Sequence, residues 1–284
     1  MGLVLSVIIP VYNEIHTIDT LIGKVVQVLP DVPKELVLVD DGSQDGTRKW
    51  LMQRFGDPSA HPISITLSAS HLRFTVPDLE QSPSTTIDGG IHISSPLTQT
   101  VSISQSASVS VKVVFHARNQ GKGAALRTGF QEATGDVVVI QDADLEYDPQ
   151  DWLQMWQLIS EGKADVVYGS RFYGEPHRVL YFHHLLGNRV ISTLIDLFCN
   201  TTLTDIEVCY KMFRREVLDS IVLTCDDFGF EVEFTMKVVR SPHRWRIYET
   251  GISYYGRSYE EGKKINWKDG LKALWYIFKF WLIR

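Results

Sequence analysis

Short apolar runs recur along the first half of the chain, each closed by a polar motif and followed by a stretch with helical spacing. That alternation is the signature of parallel βαβ units. Leu3 to Pro10 reads as a buried strand, and Ile15 to Leu29 as a helix with Ile18, Leu21, Ile22, Val25 and Leu29 on one face. Glu35 to Val39 is the next strand, ending in Asp40-Asp41-Gly42-Ser43 before a helix from Thr47 to Phe55. Lys112 to His116 leads into Asn119-Gln120-Gly121-Lys122-Gly123 and a helix from Ala124 to Ala133. Asp136 to Gln141 is a further strand with Asp142 and Asp144 at its carboxyl end. Ligands of open α/β sheets bind beyond the carboxyl ends of strands, and each polar motif falls at such an end. The second half reads as a helix from Asp151 to Glu161, a strand from Ala164 to Tyr168 and a long apolar helix around Val179 to Phe198. A region from Thr204 to Met212, a helix beginning near Phe230 and a strand from Trp245 to Glu249 follow.

One stretch breaks the rhythm. From Pro58 to Ser110 there are 19 Ser or Thr residues, one basic residue (Arg73) and no Lys. A flexible insertion is the plain reading, but the period-2 runs Ile63, Ile65, Leu67 and Val101, Ile103, with Asp88-Gly89-Gly90, point to β-hairpin character. At 284 residues the chain suits one large α/β domain. Residues 1–250 are expected to form it, interrupted at about 58–110, with 251–284 as a terminal segment.

A net charge of -6 excludes the basic footprint of a nucleic-acid binder. Cys199, Cys209 and Cys225 form no CxxC pair, and their odd number argues against a disulfide framework, so a reducing cytosol is expected. The apolar N-terminus has no basic flank and stops at Pro10, and no run reaches the roughly 18 to 20 apolar residues of a membrane span. From Arg257 onward seven basic residues face three acids, which points to an anionic partner. Asn266 to Arg284 sets Trp267, Leu271, Leu274, Trp275, Phe278, Trp281 and Leu282 among four basic residues, an amphipathic helix suited to a membrane surface.

Asp142 and Asp144, one residue apart at a strand end, can meet a hard divalent cation, and such an ion bridging two phosphates would neutralise a departing nucleotide diphosphate. Alone, the pair could equally be a solvated acidic turn.

The ordered set SVIIPVYNE, VDDGSQDGT, NQGKGAALRTGF and QDADLEYDP resembles the inverting family-2 glycosyltransferases, most closely the polyprenyl-phosphate sugar synthases typified by dolichyl-phosphate mannose synthase. The resemblance covers nearly the whole chain outside Pro58 to Ser110. It implies a GT-A fold, a mostly parallel sheet with helices on both faces, and Mg2+ or Mn2+ as cofactor. It also implies a nucleotide diphosphate-sugar donor, GDP-mannose or a UDP-sugar, and transfer of a hexose to a dolichyl or undecaprenyl phosphate.

Carried over residue by residue, Pro10, Tyr12 and Glu14 border the base and ribose, and Asp41 hydrogen-bonds the base, with Gly42 permitting the close turn. Asp41 could instead cap the helix near Thr47, or Asp40 could make the contact. Lys122 and the glycine-flanked helix start suit phosphate, without P-loop spacing. Asp142 and Asp144 are the implied catalytic and metal carboxylates, Ala143 between them joins the donor site, and Glu146 is a third metal-site residue.

A phosphate acceptor is already largely ionised at neutral pH, so it needs cations rather than a general base. Arg171 and Arg189, with Ser192 one turn on, match the acceptor-phosphate positions, and Arg257 and Lys263 match the segment that closes over pyrophosphate and acceptor. Asp205 and Glu207 in LTDIEVCYKMF depart from the common TDxxSGF pattern but retain the acid, leaving Asp205 as a base or as an orienter of Arg171 or Arg189. Two other functions stay open: transfer to a sugar or glycerolipid hydroxyl with Asp205 as base, and a non-catalytic scaffold subunit. The expected location is the cytoplasmic face of a membrane, with a membrane partner subunit left open.

Overall fold

The computed structural model describes residues 2–56, 65–67, 107–179, 181–258, 260–261 and 267–282. In chain order the elements are β1 (Leu5–Val11), α1 (Ile18–Gln27), β2 (Lys34–Asp40), α2 (Thr47–Phe55), β3 (Ile65–Leu67), β4 (Val109–Phe115), α3 (Lys122–Glu132) and β5 (Val137–Ile140). A 3-10 turn at Pro149–Asp151 precedes α4 (Trp152–Ser160), β6 (Val166–Ser170), α5 (Phe182–Cys199), β7 (Lys211–Arg214), α6 (Arg215–Asp219), α7 (Gly229–Val239), β8 (Ile247–Gly251) and α8 (Trp267–Leu282).

The strands join in one sheet in the order β3-β4-β2-β1-β5-β7-β6-β8. Its centre is parallel: Ile8 pairs with Val37 on one side and Ile140 on the other, and Val37 pairs with Lys112. The chain steps outward from β1 to β2 and β4, then returns to lay β5 on the far side of β1. That reversal is a topological switch point, and a crevice opens beyond the carboxyl ends of the strands flanking it. Strand β7 runs antiparallel to both β5 and β6. The carboxyl end of β6 and the start of β7 therefore reach the same edge as the end of β5. Pro10 sits inside β1 without breaking a ladder, because β5 pairs with β1 only as far as Ile8 and leaves no carbonyl waiting for the missing N–H.

Strands β1, β2, β5 and β6 are buried almost throughout, as central parallel strands must be. Helix α3 packs on β1 and β2, α4 on β6 and β7, and α2 on β4. Helix α8 folds back against α7 and α5, burying Ala273, Ile277 and Phe280, while Leu271, Trp275, Phe278, Trp281 and Leu282 remain exposed. Among the described residues no helix is long and apolar enough to cross a membrane.

The alternating Ile65 and Leu67 form an edge strand antiparallel to β4, opposite Val111 and Val109. Ile63, Asp88-Gly89-Gly90, Val101 and Ile103 lie outside the described residues. Two expected boundaries move for physical reasons. Helix α5 starts at Phe182, not Val179, because His177 bridges to Tyr254 and Arg178 donates its N–H to the Tyr254 carbonyl, keeping this stretch extended. Helix α3 starts at Lys122, not Ala124, because Gly121 takes a left-handed φ of +103° at its N-cap.

Candidate active site

The loop after β1 is tied to the loop after β2. Asn13, at φ +55°, donates its N–H to Ser43 Oγ (2.9 Å) and accepts from Gln44 N (2.8 Å). Glu14 N donates to Thr47 Oγ1 (3.0 Å). Asp41, buried at the end of β2, accepts from Gln120 N (2.9 Å) and Gly121 N (2.8 Å) and meets His116 Nδ1 (2.7 Å), whose Nε2 lies 2.9 Å from Thr128 Oγ1. Asp41 therefore does not cap α2, whose N-cap is Gly46; just ahead of it Asp45 accepts from Thr47 N at 3.0 Å. Nor can Asp40 replace it, since Asp40 is fully buried against Arg48 Nε (2.7 Å). Gly42 is required: at φ +78°, an added Cβ would lie 2.6 Å from the Arg118 carbonyl carbon.

The glycine-flanked Lys122 lines the cavity at the start of α3. The N–H groups of Gln120 and Gly121 are given to Asp41, and Ala124 N to the Asp226 carbonyl (3.0 Å). Lys122 Nζ lies 3.0 Å from Asp142 Oδ1 and 3.5 Å from Glu231 Oε1. Burial disfavours its charge, yet the attraction of Asp142, joined by Glu231, holds its pKa well above the ordinary lysine value.

Asp142, Ala143 and Asp144 follow β5 directly and line the cavity. Leu145 adopts φ +61°, turning the chain so that Glu146 N donates to Asp144 Oδ1 (3.1 Å). Arg257 lies across this acidic group, with Nη2 3.2 Å from Glu14 Oε1 and 3.1 Å from Asp144 Oδ2, and its backbone N 3.0 Å from Glu146 Oε1. Burial, then the charges of Asp142 and Glu146, push the Asp144 pKa up to about 7 against the opposing pull of Arg257.

A guanidinium and an ammonium thus stand where cationic charge is demanded. Among the described residues no group of three His, Cys, Asp or Glu side chains could hold a metal ion alone. Two adjacent carboxylates with hard oxygens nevertheless fit Mg2+ or Mn2+, since Mg2+ is commonly held by one or two carboxylates plus substrate phosphates. Glu146 accepts from the Arg257 backbone, so its contact is with the Arg257 loop.

At the other end, Arg171 directly after β6 makes a bidentate pair with Asp205, Nε to Oδ2 at 2.7 Å and Nη2 to Oδ1 at 2.6 Å, and lies 5.4 Å from the Tyr254 ring centroid. Asp205 is fully buried, and it orients Arg171 rather than Arg189. Arg189 is exposed on α5, stacked 4.5 Å over Phe172 of the cavity wall, and Ser192 is buried, accepting from Ile206 N (3.3 Å). Neither lines the cavity itself, where α5 presents His184, Leu185 and Asn188. Arg257 sits with the acidic group rather than beside Arg171, and Lys263 lies outside the described residues.

Pro10, Tyr12, Glu14, Asp41, Lys122, Ala143 and Arg171 all border one cavity of about 590 Å³. Its wall also includes Glu207, Glu231, Tyr254, His177 and Arg178, and its outer end Val179 and Phe182, 85% and 74% exposed. Sequence reasoning missed His116, although it closes a strand at the edge where ligands bind. Glu231, in the first turn of α7, reads locally only as an acid favourable at a helix start.

Residues 6–64 and 97–222 match the model of glycosyl transferase family 2. The chain belongs to that family. Among curated family-2 relatives, an undecaprenyl-phosphate 4-deoxy-4-formamido-L-arabinose transferase of Pectobacterium atrosepticum is 26% identical over 224 residues, covering 78% of this chain and 52% of that protein. A low-salt glycan biosynthesis hexosyltransferase of Haloferax volcanii is 25% identical over 173 residues, 60% of this chain and 40% of that one. The chain thus spans about half the length of the curated relatives it matches. Glucosyl-3-phosphoglycerate synthase of Mycobacterium tuberculosis, solved with Mn2+, uridine diphosphate and phosphoglyceric acid, superposes with a TM-score of 0.62 at 14% identity, over 100% of this chain and 80% of that one. At that identity the likeness shows the GT-A-type fold and no more.

Proposed function

We propose that this family-2 chain transfers a hexose, with inversion, from a nucleotide diphosphate-sugar to a polyprenyl phosphate at the cytoplasmic face of a membrane. The observation that carries the reading is the Arg171–Asp205 pair. The carboxylate best placed in sequence to serve as a general base is buried and bidentately bound to an arginine, and it does not line the cavity. A site whose acid is committed to holding a cation suits an acceptor that is already an anion. Arg171 lines the cavity with its guanidinium stacked on Tyr254, oriented to receive a phosphate. The names of the undecaprenyl-phosphate relatives support the acceptor class.

At the donor end, Asp41 orients the base, the loop of Tyr12 and Glu14 borders the ribose, and Lys122 reaches the diphosphate. Asp142 and Asp144 would hold Mg2+ or Mn2+, which supplies charge neutralisation for the departing nucleotide diphosphate. Arg257, paired with Glu14, Asp144 and Glu146 beside those carboxylates, would bring a further cation to the diphosphate. The apolar outer cavity and the exposed aromatic face of α8 suit a lipid chain and an interfacial position. The test incubates the protein with Mn2+, undecaprenyl phosphate or dolichyl phosphate, and labelled nucleotide-sugars. Label on the lipid is expected; label solely on sugar or glycerolipid hydroxyls overturns the reading.

A further inference from the structure

The segment from Thr204 to Val208 is held from several sides. Thr204 N and Asp205 N donate to the Glu249 carboxylate at 3.0 and 3.1 Å, Asp205 is gripped by Arg171, and Ile206 N donates to Ser192 Oγ. Lys211, fully buried, donates to the Ile206 carbonyl (3.2 Å) and to the Val208 carbonyl, the two carbonyls that flank Glu207. The backbone of Glu207 is thereby clamped, a preorganised mount for its side chain.

Its neighbours are tied to protein partners, whereas Glu207 Oε1 is enclosed without a hydrogen-bond partner at the wall of the cavity. An unsatisfied buried carboxylate oxygen is uncommon enough to demand a partner, and at a cavity wall the missing partner is a ligand. The carboxyl group of Glu207 feels the charges of Glu231 and Lys211 and also those of Arg171 and Asp205. Glu231 contacts Lys122 beside Asp142, and Glu207, Glu231, Lys122 and Arg171 all line the same cavity. Glu207 is therefore within reach of both the end that holds the diphosphate and the arginine that holds the acceptor. The transferred sugar must occupy the interval between those two for the acceptor oxygen to reach its anomeric carbon as the diphosphate leaves.

We propose that Glu207 is a specificity-determining residue whose carboxyl group hydrogen-bonds a ring hydroxyl of the transferred hexose. The inference rests on the donor-site reading above. Burial, then Glu231, push the Glu207 pKa up to about 7, against the pull of Lys211 and Arg171. Near neutrality the group can both give and accept a hydrogen bond, which matches a hydroxyl.

The test is calorimetric titration in Mg2+ with UDP and GDP, then with UDP-glucose, UDP-galactose and GDP-mannose. Glu207→Ala should weaken the nucleotide-sugar roughly tenfold or more, the scale of a lost hydrogen bond to a charged group, while the bare nucleotide diphosphate stays within about twofold. Glu207→Gln should fall between, and the ranking of UDP-glucose against its epimer UDP-galactose should narrow in both variants. Equal loss for sugar-bearing and bare nucleotides, or loss for neither, overturns the inference alone. Failure of the wild-type protein to bind any of these nucleotides overturns the donor-site reading and the inference together.

Discussion

At the donor end of the cavity, each functional side chain leaves the sheet within a few residues of a strand terminus: Asp41 after β2, Asp142 and Asp144 after β5. Their loops are held across the chain by backbone N–H groups donating to side chains, Gln120 and Gly121 reaching Asp41 over 79 and 80 residues, and by glycines such as Gly42 at φ +78°. The other end is assembled from partners nearer in sequence, Arg171 and Asp205 standing 34 residues apart and Ser192 and Ile206 14. Arg171 is positioned by Asp205 and Tyr254, and the 204–208 segment by Glu249, Ser192 and Lys211. The donor end proposed above thus hangs on strand termini, and the proposed acceptor end on the Arg171–Asp205 pair.

Several measurements would sharpen or break that contrast. The largest effect is expected at Asp144: Asp144→Asn should lower kcat/KM by about 100- to 1,000-fold, the scale of removing one preorganised electrostatic group. Asp205→Asn should cost about tenfold, because it loosens Arg171 without removing a base. Equal losses in the two variants would break the division between the ends.

Arg171→Ala should raise the KM for polyprenyl phosphate by about 10- to 100-fold with donor affinity unchanged, and Arg171→Lys should not rescue it, because an ammonium cannot reproduce the bidentate fork. An unchanged acceptor KM would remove Arg171 from that end. Asp41→Asn should do the reverse, weakening nucleotide binding about tenfold, the loss expected for a charge-assisted hydrogen bond, and leaving the acceptor KM alone.

A pH effect follows from Asp144, whose pKa stands at about 7 instead of 3.8. Below that value the folded protein holds a proton that a divalent ion must displace. Mn2+ affinity, read by titration, should weaken by up to about tenfold per unit as pH falls below 7 and level off above it. The sign for stability is opposite. The raised carboxyl pKa favours the folded, ion-free protein at low pH, and that contribution is lost as pH rises through about 7. A cation affinity flat between pH 5.5 and 8 would count against Asp144 as ligand. The smallest effect is expected at the lipid-facing surface. Trp275→Glu, at an exposed position on α8, should lower binding to phosphatidylglycerol vesicles several-fold, by loss of buried aromatic area, while nucleotide binding is untouched. Unaltered vesicle binding would place the contact elsewhere.

Much of the donor end was legible in the chain because period and motif coincide there. Apolar runs mark buried strands, and the residue type at each strand end names the chemistry. Lys122 lines the cavity, and the Gln120 and Gly121 N–H groups beside it go to Asp41, a pairing over 79 and 80 residues that no local motif announces. Arg189 and Ser192 share the helical spacing of a phosphate site, yet Arg189 stacks over Phe172, Ser192 accepts from Ile206 N, and neither lines the cavity. The rotational setting of α5 depends on its packing against α8 and α7, which no local pattern encodes.

From the amino-acid order alone came the family resemblance, the parallel core and the candidacy of Asp41, Asp142 and Asp144 at strand ends, because strand burial and strand-end chemistry are local properties. The partners of those groups came from folding. Asp205, open as a base or an orienter in the sequence, is bound by Arg171, 34 residues earlier. Arg257 came to Glu14 across 243 residues, and Glu207 was left at the cavity wall with one oxygen unmatched. Charge pairing and enclosure act through space, so only the packed chain could choose them.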